Sequence, residues 1–191
     1  MSGIIISFHT DSYCEVSVPL RESLIAAGLS FSLRRVPDFP SWNQACAYKP
    51  WFIAAQMHAF PGRRLLWIDA DAVVHADPWP AMLGPDEVDF GFHSRVGPRR
   101  EGGEVLSGTL LLNPTPAARE LVDLWCAQQS KTPTKWDQKV LALAMRKMGD
   151  RVRYQALPAS MCMIFDSMRH ENPGVEPVIE HFQASRQMRN R

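Results

Sequence analysis

Cysteine is sparse in this 191-residue chain, which holds only Cys14, Cys46, Cys126 and Cys162. None of them forms a Cys-x-x-Cys pair, and their spacings fit no zinc motif, which excludes a zinc ribbon or a dithiol redox centre. Four reduced, mostly buried thiols in a cytoplasmic protein are expected. An excess of charge of either sign is also missing. The formal net charge is +1 with His neutral, which argues against a broad electrostatic commitment to nucleic acid or anionic membrane while leaving room for a local patch. No apolar run approaches the ~20 residues of a membrane helix. The opening "MSGIIISFHT" has no basic region ahead of its apolar run, so no signal peptide is expected. Internal repeats and low-complexity segments are absent too.

What is present is the composition of a soluble globular protein, 46% hydrophobic and 21% charged. One compact domain over residues 1–191 is expected, and a chain of this size buries roughly 70% of its unfolded surface. "GIIISF" (3–8) reads as a fully buried strand. "VPLRESLIAAGL" (18–29) reads as a helix opened by Pro19 and stopped by Gly28. Residues 30–37 alternate like a strand, 38–50 read as a loop, and 51–60 as a helix. "RLLWIDADAVV" (64–74) reads as one central strand, and "DPWPAML" as a turn or short helix. Strands are predicted at 88–93, 105–113, 152–157 and 177–183, with helices at 115–129 and 136–149. Residues 94–104, "SRVGPRREGGE", read as a mobile basic loop whose Arg95, Arg99 and Arg100 would close over phosphates. This alternation predicts an α/β fold with a mostly parallel central sheet and helices on both faces. Ligands of such sheets bind beyond the carboxyl ends of the strands.

The central strand runs out into Asp69 and Asp71. Strand alternation would put both carboxylates on one side, where they repel each other and lose hydration. A divalent cation removes that repulsion, and hard oxygen ligands suit Mg²⁺ or Mn²⁺. The bland alternative is a solvated turn with two aspartates.

An apolar strand ending in Asp-x-Asp, here "LLWIDADAVVHADP", resembles the metal motif of nucleotide-sugar glycosyltransferases with the GT-A fold, a Rossmann-like single domain. In the same order, "YKPWFI" (48–53) resembles their lysine-proline segment. "SGTLLLNPTPAARELVDLW" (107–125) is similar to their strand-to-helix segment, and "WDQKVLALAM" (136–145) to their Asp-Gln helix start. "HFQASRQMR" (181–189) resembles their C-terminal histidine stretch. The similarity spans most of the chain, although many relatives are longer. That shortness leaves the acceptor site either open or completed by another subunit of a homo-oligomer.

The resemblance implies transfer of a sugar from a nucleotide-diphosphate donor, a uridine diphosphate sugar, to a hydroxyl, with Mn²⁺ or Mg²⁺ as cofactor. It implies that Asp71 coordinates the metal, that Asp69 meets the metal, its waters or the donor ribose, and that His181 is a further ligand. Ser185 and Arg186 would hold the diphosphate, which Lys49 would also contact. His9, Thr10 and Asp11 would hold base and ribose, while Ser107 and Gly108 would admit the sugar. Asp137 would bond a sugar or acceptor hydroxyl and would serve as base in an inverting enzyme; it reads equally well as a helix cap. Gln138 would lie near the anomeric carbon. The Asp-Gln start together with the histidine leans toward retention. His58, His75, His93 and His170 read as structural or surface residues; Trp42, Trp51 and Trp79 flank the site segments and read as core, with stacking on a base or sugar as the alternative. The acceptor stays open among a glycan, a small molecule, a protein and a modified nucleic acid. Two other readings compete: a nucleotidyltransferase-like enzyme, disfavoured because "SFHTDSYCE" carries no glycine- and basic-rich phosphate loop, and a non-catalytic nucleotide-sugar-binding protein.

Overall fold

The computed structural model describes residues 3–97 and 100–184, with backbone only at 97 and 100–102. Seven β-branched, aromatic or small residues form β1, Ile4–Thr10, which is buried along its whole length. Burial on both faces is the mark of a strand inside a layered α/β sheet. Its neighbours in the described sheet are β2 (Phe31–Val36) and β3 (Leu65–Ile68), both parallel to it. The sheet continues through β6 (Arg100–Leu112), β5 (Phe90–Gly97) and β7 (Tyr154–Ala156), in the order β2-β1-β3-β6-β5-β7. Only β6 runs against its neighbours, so the sheet is mostly parallel.

Alternation along β1 divides the core. Ile4, Ile6 and Phe8 face a layer made by α2 (Trp42–Ala59), α3 (Pro116–Lys131) and α4 (Asp137–Met148), where Trp67 and Trp125 are fully buried. Ile5 faces the opposite layer, with Leu20 and Leu24 of α1 (Val18–Ala26). Thr115 caps α3 by accepting from the Ala118 N–H at 3.2 Å, and Pro116 takes the first turn. Gly149, at φ 53°, ends α4.

Three expectations change. First, α2 begins at Trp42, inside the expected loop, because Ser41 accepts from the Gln44 N–H at 3.3 Å. Pro50 then lies within the helix. Second, the expected strand 64–74 is two strands. The chain leaves the large sheet at Ile68, turns through 69–71, and enters β4 (Ala72–Val74), which belongs to a separate three-stranded sheet with β9 (Ile179–His181) and β8 (Met163–Ile164). Third, residues 94–97 and 100–104 are strand rather than loop. β5 and β6 pair through them, with Ser94 opposite Val105 and Arg95 opposite Glu104. A short helix, α5 (Ser167–Glu171), precedes β9. Among the described residues no helix is long and apolar enough to cross a membrane.

Candidate active site

The corner between the two sheets brings the carboxylates together. Asp69 donates its N–H to the Gly108 carbonyl at 2.9 Å, which holds it against β6. Asp71 is gripped by the chain that follows β9. Its carbonyl accepts from the Phe182 N–H and its Oδ2 from the Ala184 N–H, each at 2.9 Å. Pairing of Ala72 with His181 across β4 and β9 sets the histidine beside them. Asp69, Asp71 and His181 each offer a ligand atom, and these atoms lie within 4.8 Å of one another. Strand alternation is therefore not what puts Asp69 and Asp71 together. A turn does it, and the docking of β9 completes the group.

A local defect in β6 aims three more residues. Phe92 pairs with Leu110 but His93 pairs with Leu106, so residues 107–109 have no partner on β5. This bulge re-aims side chains that a regular ladder would alternate. Ser107 turns to Lys49 and Asp137. A Cβ at Gly108 would stand 3.1 Å from Cε1 of His181, so the glycine lets the imidazole lie against the backbone. Thr109 Oγ1 sits 2.9 Å from Nε2 of the same ring, while Nδ1 is buried with no partner among the described residues. Burial holds the His181 imidazole down to about 4, against 6.5 ordinarily, so the ring is neutral at pH 7. Burial also pushes the Asp69 and Asp71 carboxyls upward, against the pull of Lys49 on the former and of the Ala184 N–H on the latter. Two partly dehydrated carboxylates and a neutral imidazole with one orphaned nitrogen form a donor set that fits Mg²⁺ or Mn²⁺.

Lys49 ties this group to α4. Its Nζ lies 2.9 Å from Asp69 Oδ1 and 2.8 Å from Asp137 Oδ2, and it donates to the Ser107 carbonyl and Oγ at 3.1 Å each. The ammonium is buried. Burial opposes its charge, but the Asp137 and Asp69 carboxylates outweigh that and raise its pKa. Ser107 Oγ donates to Asp137 Oδ2 at 2.7 Å. Asp137 is the first residue of α4 and its carboxylate faces Lys49, so the helix-cap alternative does not describe it. Trp67, from the core, donates Nε1–H to Asp69 Oδ1 at 3.0 Å.

A cavity of about 560 Å³ opens above these residues. His9, Thr10, Lys49, Asp69, Asp71, Ser107, Asp137 and Gln138 all line it. Asp11 does not. It points outward and pairs with Arg35 at 2.5 Å. Ser185, Arg186 and Arg99 fall outside the described residues, as does the Arg100 side chain. Trp42 lines the cavity and meets Trp136 edge-on at 5.7 Å; Trp79 instead packs over Gly3 on another part of the fold. Sequence reasoning missed Ser12, Tyr13, Asp38, Trp136 and Gln183 in the wall, and Thr109 behind His181. Asp38 was findable, because it follows the carboxyl end of β2, where ligands of such sheets bind. Its carboxylate accepts from the Ser12 N–H at 3.0 Å and Oγ at 2.7 Å, which lowers its pKa.

The profile of one protein family, the nucleotide-diphospho-sugar transferases, matches residues 61–190. The chain belongs to this family. The matched segment carries the carboxylate corner, the β6 bulge, the start of α4 and His181. No curated protein matches the transferase by sequence. Solved structures do match its fold. A glycosyltransferase involved in glycosylation of the major capsid of PBCV-1 superposes with a TM-score of 0.75 at 14% identity, covering 99% of this transferase and 98% of that chain. The glycosyltransferase GlyE of Streptococcus pneumoniae TIGR4 gives 0.65 at 15% identity over 95% of this chain and 54% of its own. The galactosyltransferase LgtC, solved with donor and acceptor sugar analogues, gives 0.58 at 15% identity over 94% and 87%. The transferase thus has the GT-A glycosyltransferase fold in a single described domain.

Proposed function

We propose that this glycosyltransferase moves a sugar from a uridine diphosphate donor to a hydroxyl acceptor, with a divalent cation and with retention of anomeric configuration. The observation that carries the reading is the grouping of Asp69 and Asp71, which line the cavity, with His181, whose Nδ1 is buried without a partner among the described residues. Asp69, Asp71 and His181 would hold Mn²⁺ or Mg²⁺. When bound, the cation supplies charge that stabilises the departing nucleoside diphosphate.

The chain's own groups do the rest. His9 and Thr10, the last residues of β1, and Asp38, just past the end of β2, line the cavity and suit base and ribose. Lys49 spans the two sides. It orients Asp69 toward the diphosphate and holds Asp137 toward the sugar. Asp137 Oδ2 already accepts from both Lys49 and Ser107, which leaves Oδ1 to bond a sugar or acceptor hydroxyl. Retention is supported by the Asp-Gln start of α4 together with His181, a combination that resembles retaining members of the family, with Gln138 facing the sugar. LgtC, which shares this fold, has been solved in complex with donor and acceptor sugar analogues, which supports a site that takes both.

The test is a panel of nucleotide sugars incubated with Mn²⁺, read as released nucleoside diphosphate. A uridine diphosphate sugar should be hydrolysed, and chelator should stop it. Release that is unaffected by chelator, or none with any donor, would refute the reading. With an α-linked donor, a β-linked product by proton NMR would overturn retention.

A further inference from the structure

Gln138 reaches the cavity from the first turn of α4, and a residue behind it decides which end of its amide faces inward. Gln138 Nε2 donates to Oε1 of Glu104, on β6, at 2.8 Å. Gln138 lines the cavity; Glu104 is not among the residues that do. A carboxylate only accepts, so the NH₂ end must face Glu104 and the carbonyl oxygen is the end left to the cavity. An amide without such a partner presents either end, since its nitrogen and oxygen are nearly the same size.

Glu104 is itself placed by the β5–β6 ladder. It stands opposite Arg95. The Arg95 guanidinium donates to Glu171 Oε2 at 2.7 Å and to Ser167 Oγ at 3.3 Å on α5. The carboxylate thus sits on a braced hairpin, facing a fixed cation.

We infer that Glu104 is a positioning residue for Gln138, drawing the amide nitrogen out of the cavity so that only a carbonyl oxygen points at the donor sugar. The inference rests on the reading of Gln138 as facing the sugar. When the bond between the anomeric carbon and the diphosphate oxygen breaks, the electron pair leaves with the diphosphate. Positive charge then develops on the anomeric carbon and the ring oxygen. A carbonyl oxygen directed there stabilises that charge, whereas an NH₂ group opposes it. Glu104 touches neither sugar nor phosphate and acts only through the amide.

The test compares the parent with Glu104→Gln, which keeps an acceptor for the amide, and with Glu104→Leu and Glu104→Ala, which remove it. Two readouts are taken. One is the Gln138 side-chain amide signal in ¹⁵N NMR, identified by its loss in Gln138→Glu. The other is steady-state hydrolysis, with Mn²⁺, of the uridine diphosphate sugar that the parent turns over fastest. In Glu104→Leu and Glu104→Ala the amide signal should move and kcat should fall about tenfold to a hundredfold, with KM within about twofold. Glu104→Gln should keep the signal in place and kcat within about threefold of the parent. Parent kcat in the truncated variants, or a loss of rate with an unmoved amide signal, overturns the inference. A parent that hydrolyses no nucleotide sugar removes the functional reading instead, and an unmoved amide signal then refutes the contact on its own.

Discussion

Replacing Lys49 by Met keeps the length of the side chain and deletes its charge. In the native protein that charge faces Asp69 at 2.9 Å and Asp137 at 2.8 Å. The two carboxylates do not lose equally. The Asp69 side chain is 36% exposed and can take up water, and Trp67 still donates to it. The Asp137 side chain is 7% exposed and, among the described residues, keeps Ser107 Oγ. Removing one partner of a buried ion pair costs about 3–5 kcal/mol. With one of the two carboxylates able to rehydrate, the lower end applies, about 3 kcal/mol. At an m-value of roughly 2 kcal/mol/M, the urea midpoint falls by about 1.5 M with m unchanged. Lys49→Met/Asp137→Asn removes the stranded charge as well, and should recover about 2 kcal/mol of the loss as a coupling energy. Tryptophan fluorescence follows the transition. A single variant that loses under about 1 kcal/mol would refute the argument that Lys49 neutralises a buried carboxylate. So would a double variant no more stable than the single one.

Saturating Mn²⁺, at about 100 times its Kd, should add about 2.7 kcal/mol of stability, or roughly 5–10 °C in Tm for a domain of this size. Asp71→Asn should fold yet show no such rise and no donor turnover; a normal rise in that variant would remove Asp71 from the ligand set. Because the native His181 ring titrates at about 4 rather than 6.5, its neutral form stabilises the fold fully above pH 6.5. That contribution, about 3 kcal/mol, is lost as pH falls through 4. His181→Asn should flatten the fall in urea midpoint between pH 7 and 4 relative to the parent, and parallel curves would contradict this. Gly108→Ala, whose new Cβ would stand 3.1 Å from Cε1 and 3.4 Å from Nδ1 of His181, should weaken Mn²⁺ binding about tenfold or more. Unchanged affinity by calorimetry would show that the ring does not need that space.

The α/β class and most elements could be read in the sequence because burial on both faces writes β1 and β3 as continuous apolar runs. Thr115 and Gly149 likewise marked helix ends by local chemistry that needs no tertiary context. The start of α2 was also written locally, since "SWNQ" carries the Ser and Gln of a cap, but Pro40 and Pro50 read more strongly as breakers. Asp69, Asp71 and His181 could be nominated from the sequence. Their convergence could not, because it depends on β4 leaving the main sheet to pair with a three-residue strand more than a hundred positions away. The bulge at 107–109 escaped for a related reason. "VLSGTLLLN" alternates no differently from a regular strand, and only its register against β5 exposes the three surplus residues. Glu104 falls in a stretch whose glycines and charges read as a loop, so nothing in the sequence points to its contact with Gln138.

The pairing of β4 with β9 also fixes an order of events in the life of the chain. β1, β2 and β3 all lie within the first 68 residues, and β1 pairs in parallel with both of the others. Domains emerge from the ribosome N-terminal end first, so that half of the sheet is available early. Asp69 and Asp71 emerge with it, but the third donor is still unmade. The grip of Phe182 and Ala184 on Asp71 comes later still. A nascent chain therefore exposes two aspartates before the imidazole that would complete the proposed cation site, and assembly of the three donors waits until β9 has been translated and docked.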